Sequence, residues 1–169
     1  MPIGYVIDKQ ELLERYRDLQ RVVHPDRYVN ASDHEQRLAL EGAAYINQAF
    51  ESLRDPLLRA QYLLRLHGVD FNPATETTTD TGFLMEQLQL REELAEIPRQ
   101  QDALTAAADF MQRVNTIFNK LIGSLAVDFE MPDAKRLEIV REKVRKMQFL
   151  KKLHSEAEAV EARLEEEML

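Results

Sequence analysis

The chain has no cysteine, and its 169 residues include only 5 glycines and 6 prolines. Without cysteine there is no disulfide, thiolate metal site or cysteine nucleophile, so any redox or metal chemistry it serves belongs to a partner. No run approaches the ~20 apolar residues that would span a bilayer. The start, Met1-Pro2-Ile3-Gly4, lacks the basic stretch and apolar run of a secretory signal. A cytoplasmic protein with no membrane partner is expected. Positive charge is also short: 22 Lys and Arg against 30 Asp and Glu leave a net charge of −8. That balance argues against binding nucleic acid through its phosphates. The histidines, at 24, 34, 67 and 154, show no paired spacing on one helical face. Neither a metal site nor a cofactor is expected.

What is present is helical periodicity, on a composition 44% apolar that suffices for a core. The glycines and prolines fall at boundaries, and the chain reads as all-α. Asp8 caps a first helix running to Val23, with Leu12, Tyr16, Leu19 and Val23 as its buried stripe. Pro25 ends it, because a proline disfavours helical geometry in the residue before it. Ser32 with Glu35 forms a capping box for a helix from Asp33 to about Arg54, whose inner side reads Leu40, Ala44, Asn47 and Phe50/Glu51. Asp55-Pro56 restarts a helix over Leu57 to His67, closed by Gly68. Val69 to Asp80, with Asn72-Pro73 and a threonine cluster, has no period and reads as a linker. Three further helices follow: Thr81 to Ile97, about Gln101 to Val127, and Asp133 to the C-terminus. They suit an antiparallel bundle.

The residues that could carry function are not arranged for catalysis. His24-Pro25-Asp26 lies between the first two helices, with Arg15, Arg17, Arg21 and Arg27 around it. No nucleophile or glycine-rich phosphate cradle accompanies the His–Asp pair, so an enzyme is the weakest reading. As a docking loop the same residues make sense. Pro25 stiffens the turn, Asp26 offers a charge-assisted acceptor, and Arg17 and Arg21 form a positive strip one helical turn apart. From spacing alone an equal reading stands, in which Asp26 satisfies a local N–H and the arginines are ordinary surface residues. The Glu-rich stretch Glu156–Glu167 reads as a solvated helix face.

The helix near residue 90 has two apolar sides. At ~100° per residue, Phe83, Gln87, Leu90, Leu94 and Ile97 fall within about 80° of one another, as a core stripe would. Leu84, Met85 and Leu88, edged by Glu92 and Glu96, lie roughly opposite. That second patch suits either a partner or another helix of the same bundle. Phe149 points away from the Val140/Val144/Met147 stripe of the last helix, so it is either a further part of such a face or a core aromatic.

Tyr16 through Tyr28, then Ile46-Asn47-Gln48-Ala49-Phe50 and Leu53-Arg54-Asp55-Pro56, resemble a J-domain. Arg59-Ala60-Gln61-Tyr62-Leu63-Leu64 and Phe83 to Leu94 are similar to the HscB family of J-type co-chaperones of iron–sulfur cluster assembly, and the resemblance covers nearly the whole chain. It implies a J-domain over 1–68, a linker over 69–80 and a three-helix bundle over 81–169, together L-shaped. It further implies docking on the DnaK-type ATPase HscA through Arg17, Arg21, His24, Pro25, Asp26 and Arg27, with stimulation of that partner's ATP hydrolysis. The implied surface for the scaffold protein IscU is Leu84, Met85, Leu88, Gln89, Glu92, Glu96 and Phe149. The rival reading is a generic J-protein or helical interaction module with another client.

Three departures from the family pattern stand out. Only Met1 to Tyr5 precedes the first long helix, so the small first J-domain helix is expected to be curtailed. Gln89 replaces an acid common in the motif. Arg27 stands where lysine is usual. The absence of a cysteine-rich N-terminal extension points to a bacterial type.

Overall fold

The computed structural model describes residues 3–72, 78 and 80–167, and among these every regular element is a helix. The order is α1 Lys9–Val23, α2 Asp33–Arg54, α3 Pro56–Leu66, α4 Thr81–Glu96, α5 Ala103–Asp128 and α6 Ala134–Glu167. Short 3-10 turns occupy Pro25–Tyr28 and Ile97–Arg99. Of the expected linker, residues 73–77 and 79, with Pro73 and three of the threonines, lie outside the described residues.

Local chemistry explains where the helices begin. An Asp8 carboxylate oxygen accepts from the N–H groups of Gln10 and Glu11 at 2.8 and 3.1 Å. At α2 the Ser32 hydroxyl accepts from Glu35 N–H, and the Glu35 carboxylate accepts from Ser32 N–H at 2.9 Å, completing the capping box. Ser32 thereby holds the Glu35 carboxyl below its ordinary pKa. Asp55 caps α3 and Asp80 caps α4 in the same way. Gly68 ends α3 at φ 77°, the left-handed conformation that a Cβ disfavours.

α1 and α2 form a hairpin with a thin interior. Their only fully buried residues are Leu12 and Ala39. Tyr16 stacks on Phe50 with ring centres 4.1 Å apart, and its hydroxyl donates to Asn47 Oδ1 at 2.9 Å. The expected inner side of α2 is corrected: Leu40, Ala44 and Glu51 are exposed, and Asn47 reaches α1 only through its amide. Phe50 faces inward as expected, and Ala39, Gly42, Ala43, Ile46, Ala49 and Leu53 join it. Small residues occur on both sides of α2, so apolarity did not separate them. Close approach did, since a Cβ on Gly42 would stand 3.3 Å from Val23 Cγ1. Leu19 is likewise 52% exposed, contrary to its place in the expected stripe of α1. It lines an open groove of about 220 Å³ with Tyr45, Ile46 and Leu53.

α3 turns its buried side away from that hairpin. Leu57, Ala60, Leu63 and Leu64 join Tyr5 and Phe71 in one core with Leu125 and Phe129 at the end of α5 and Val140, Val144 and Met147 of α6. Arg59 is only 6% exposed, with its guanidinium 4.9 Å from the centre of the Tyr5 ring. The Tyr5 hydroxyl donates to Pro56 O at 3.2 Å. Burial pushes the Tyr5 phenol up to about 12, against the opposing pull of Arg59. A second core runs along the bundle: Leu94 and Ile97 meet Ala107, Phe110 and Val114 of α5 and Leu150, Leu153, Ala157 and Val160 of α6.

Candidate functional site

Two surfaces gather the residues singled out in the sequence. The first lies where α1 ends. His24 leaves helical geometry at ψ 126°, and Pro25, with φ set by its ring, opens the 3-10 turn. The His24 Nδ1 accepts from Asp26 N–H at 3.3 Å, which fixes that nitrogen as the unprotonated one. Arg27 folds back so that its guanidinium donates to Arg21 O at 2.9 Å, and the Tyr28 hydroxyl donates to Val22 O at 3.2 Å. These bonds satisfy carbonyls at the end of α1 that lack helical partners and pin the turn against the helix.

The turn is thus built from its flanks, and Asp26 projects from it. Its side chain is 85% exposed, and among the described residues no cation pairs with it: the nearby His24 Nδ1, 3.5 Å away, is the acceptor of the Asp26 N–H. Arg17 and Arg21 are exposed on the preceding helix, Arg21 pairing with Asp18 at 3.2 Å. The arrangement offers an exposed carboxylate on a pinned turn, following a helix that carries the exposed Arg17 and Arg21. It suits a charge-assisted protein contact. Among the described residues no cluster of His, Asp or Glu could hold a metal ion, and no helix is long and apolar enough to cross a membrane.

The second surface is on α4. Phe83, Leu94 and Ile97 turn inward and are buried, with Gln87 and Leu90 half-buried beside them. On the other side Leu84, Met85 and Leu88 are 46, 58 and 51% exposed, so the second apolar side of this helix stands largely open to solvent. Gln89, Glu92 and Glu96 are exposed around them, Glu96 pairing with Arg99. Phe149 of α6 is half-buried: it packs against the second core and meets Phe83 edge to face at 5.9 Å. It is a bundle aromatic that reaches α4 at Phe83.

Sequence reasoning missed Arg91. It lies seven positions after Leu84, nearly two turns along the same side of α4. Its guanidinium sits 5.5 Å from the centre of the Phe149 ring and 3.5 Å from Glu156. The signal was the i, i+4, i+7 series Leu84, Leu88, Arg91, hidden because a charged residue was not counted into an apolar face.

Residues 79–158 match the family described as the HscB C-terminal oligomerisation domain. The co-chaperone protein HscB of Proteus mirabilis is 42% identical over 164 residues, spanning 97% of this chain and 93% of that protein. The chain belongs to the HscB co-chaperone family. Solved HscB structures agree in fold. The chaperone HscB from Vibrio cholerae aligns with a TM-score of 0.84 at 34% identity, over 97% of this chain and 94% of that one. Human co-chaperone protein HscB aligns at 0.83 and 27% identity, over 94% of this chain and 77% of the human one. An all-α J-domain with a C-terminal helical bundle is therefore the fold of this HscB-family member.

Proposed function

We propose that this co-chaperone serves iron–sulfur cluster assembly by binding the scaffold protein IscU through α4 and presenting it to the DnaK-type chaperone HscA. The observation that carries the reading is the uncovered Leu84–Met85–Leu88 patch, rimmed by Glu92 and Glu96, in a chain of the HscB family. A small apolar centre with a charged edge suits a contact that must form and release. Phe149 extends it from α6. The exposed Asp26 and the strip of Arg17, Arg21 and Arg27 then form the HscA-docking surface, with His24 and Pro25 holding the turn. In this division the J-domain is 1–68, a connection occupies 69–80, and 81–169 is the scaffold-binding bundle. The chain stimulates ATP hydrolysis in its partner and carries out none itself.

A steady-state HscA ATPase assay, with and without IscU, tests both halves. Wild-type chain should raise the rate, and further with IscU present. Asp26→Ala should abolish stimulation while leaving IscU binding intact. Joint replacement of Leu84, Leu88 and Phe149 by alanine should weaken IscU binding at least tenfold by calorimetry, the loss of ~1.4 kcal/mol or more expected when several interface anchors are truncated. Stimulation by Asp26→Ala equal to wild type, or undiminished affinity of the triple variant, would refute the corresponding half.

A further inference from the structure

α4 lies on α6 along a seam of four side chains drawn alternately from the two helices. Lys146 Nζ stands 5.5 Å from the centre of the Phe83 ring. Phe83 meets Phe149 at 5.9 Å with an interplanar angle of 85°. Arg91 then covers Phe149, its guanidinium carbon 5.5 Å from the ring centre. The order is cation, ring, ring, cation, crossing from α6 to α4, back to α6 and again to α4. Each cation also has a carboxylate across the seam: Lys146 pairs with Glu86, and Arg91 with Glu156 at 3.5 Å. Edge-to-face rings and cations over ring faces are both attractive through the ring quadrupole. The Glu86 and Lys146 side chains are 34% and 26% exposed, so that end is closed. At the other end the Arg91 side chain is 49% exposed.

We infer that Arg91 is a positioning residue of the scaffold-binding surface: it clamps the Phe149 ring of α6 beside Leu84 and Leu88 of α4, so that two helices present one continuous face. The inference rests on the proposed scaffold-binding role of that face. A half-buried phenylalanine on α6 has no covalent tie to the α4 patch, and fixing its rotamer before contact removes an ordering cost at binding. The guanidinium is suited to this because it stacks flat on a ring while its N–H groups reach a carboxylate. The Glu156 carboxylate on α6, 3.5 Å from the guanidinium, holds the arginine in place over the ring.

Calorimetric titration of the full chain with purified IscU tests the clamp, using Arg91→Ala, Arg91→Lys, Arg91→Gln, Phe149→Ala and the Arg91→Ala/Phe149→Ala pair. Arg91→Ala should weaken binding three- to tenfold. Arg91→Lys should recover most of the loss, because an ammonium is also drawn to a ring face, and Arg91→Gln should recover none. In the Phe149→Ala background, Arg91→Ala should change affinity less than twofold, since the arginine acts through the ring. In the free chain carrying labelled phenylalanine, the Phe149 ring resonances should move in Arg91→Ala while those of Phe110, in the bundle core, stay. Wild-type affinity in Arg91→Ala, additive losses in the double variant, equal affinities for the Lys and Gln variants, or unmoved Phe149 resonances would each overturn the clamp. If the wild-type chain does not bind IscU, or alanines at Leu84 and Leu88 leave binding unchanged, the scaffold-binding reading itself fails and the clamp with it. Loss at those leucines with none at Arg91 removes the clamp alone.

Discussion

Asp55 performs two separable tasks, and substitutions can tell them apart. Its Oδ1 accepts from the N–H groups of Leu57 and Leu58 at 2.8 and 3.0 Å, capping α3, while its Oδ2 accepts from Lys151 of α6 at 2.6 Å. Losing an N-cap costs about 1 kcal/mol. The ion pair is worth less, because the Lys151 side chain is 55% exposed and water screens it, so about 0.5 kcal/mol is expected. Asp55→Ala should therefore lose about 1.5 kcal/mol, and Asp55→Asn, whose amide oxygen can still cap, only about 0.5 kcal/mol. Lys151→Met should match the asparagine variant, and its deficit should shrink in high salt. Urea unfolding read by circular dichroism gives each value. Acidity supplies an independent check. Burial would raise the Asp55 carboxyl, but the Lys151 hydrogen bond, the Leu58 and Leu57 N–H groups and the Lys151 charge together hold it below the usual carboxylate range. Folding thus favours the ionised form, so its contribution is complete above the ordinary aspartate pKa and lost as pH falls through the depressed one. The gap between wild type and Asp55→Asn should close in acid. Asparagine as costly as alanine, or a gap that widens as pH falls, would refute the division of labour.

Two further outcomes follow from the packing and the rim. Phe110→Ala should destabilise the chain by about 3–5 kcal/mol in urea unfolding, because the ring is 1% exposed in the second core and its removal leaves a cavity. Gln89→Glu restores an acid to the exposed rim beside Leu88 and should tighten IscU binding two- to fivefold at low salt, with the gain fading as salt is added; unchanged affinity in calorimetry would show that this position does not meet a cation of the scaffold.

The helix starts were the most legible part of the fold. Asp8, Ser32 with Glu35, Asp55 and Asp80 all cap through bonds that span two or three residues, so nearest neighbours in sequence suffice to find them. Helix faces depend on what lies opposite, and there local reading failed in the hairpin. Leu19 and Leu40 are apolar at helical spacing yet are more than half exposed, whereas Gly42 faces inward, where a Cβ would stand 3.3 Å from a Val23 methyl. The two sides of α4 were readable because each bears large residues and the other side is acid-edged. Arg59 and Arg91 were not, for a shared reason. A guanidinium over an aromatic ring counts as polar in any pattern, while its place is set by a ring far away in sequence, Tyr5 in one case and Phe149 in the other.

The sharing of α3 between the hairpin that continues into it and the core of α5 and α6 bears on how two bound partners would meet. In a tethered adaptor, the effective concentration of one partner at the other is set by linker length and falls as the tether grows. Here the path from Asp26 to Leu88 passes through a cap at Asp55 and a helix with one side buried in the core, so orientation, not tether length, would govern the encounter. Loosening the Tyr5–Arg59–Phe129 packing would then leave each partner's own affinity nearly intact while lowering the yield of the ternary complex, a loss that pairwise binding measurements alone would not reveal.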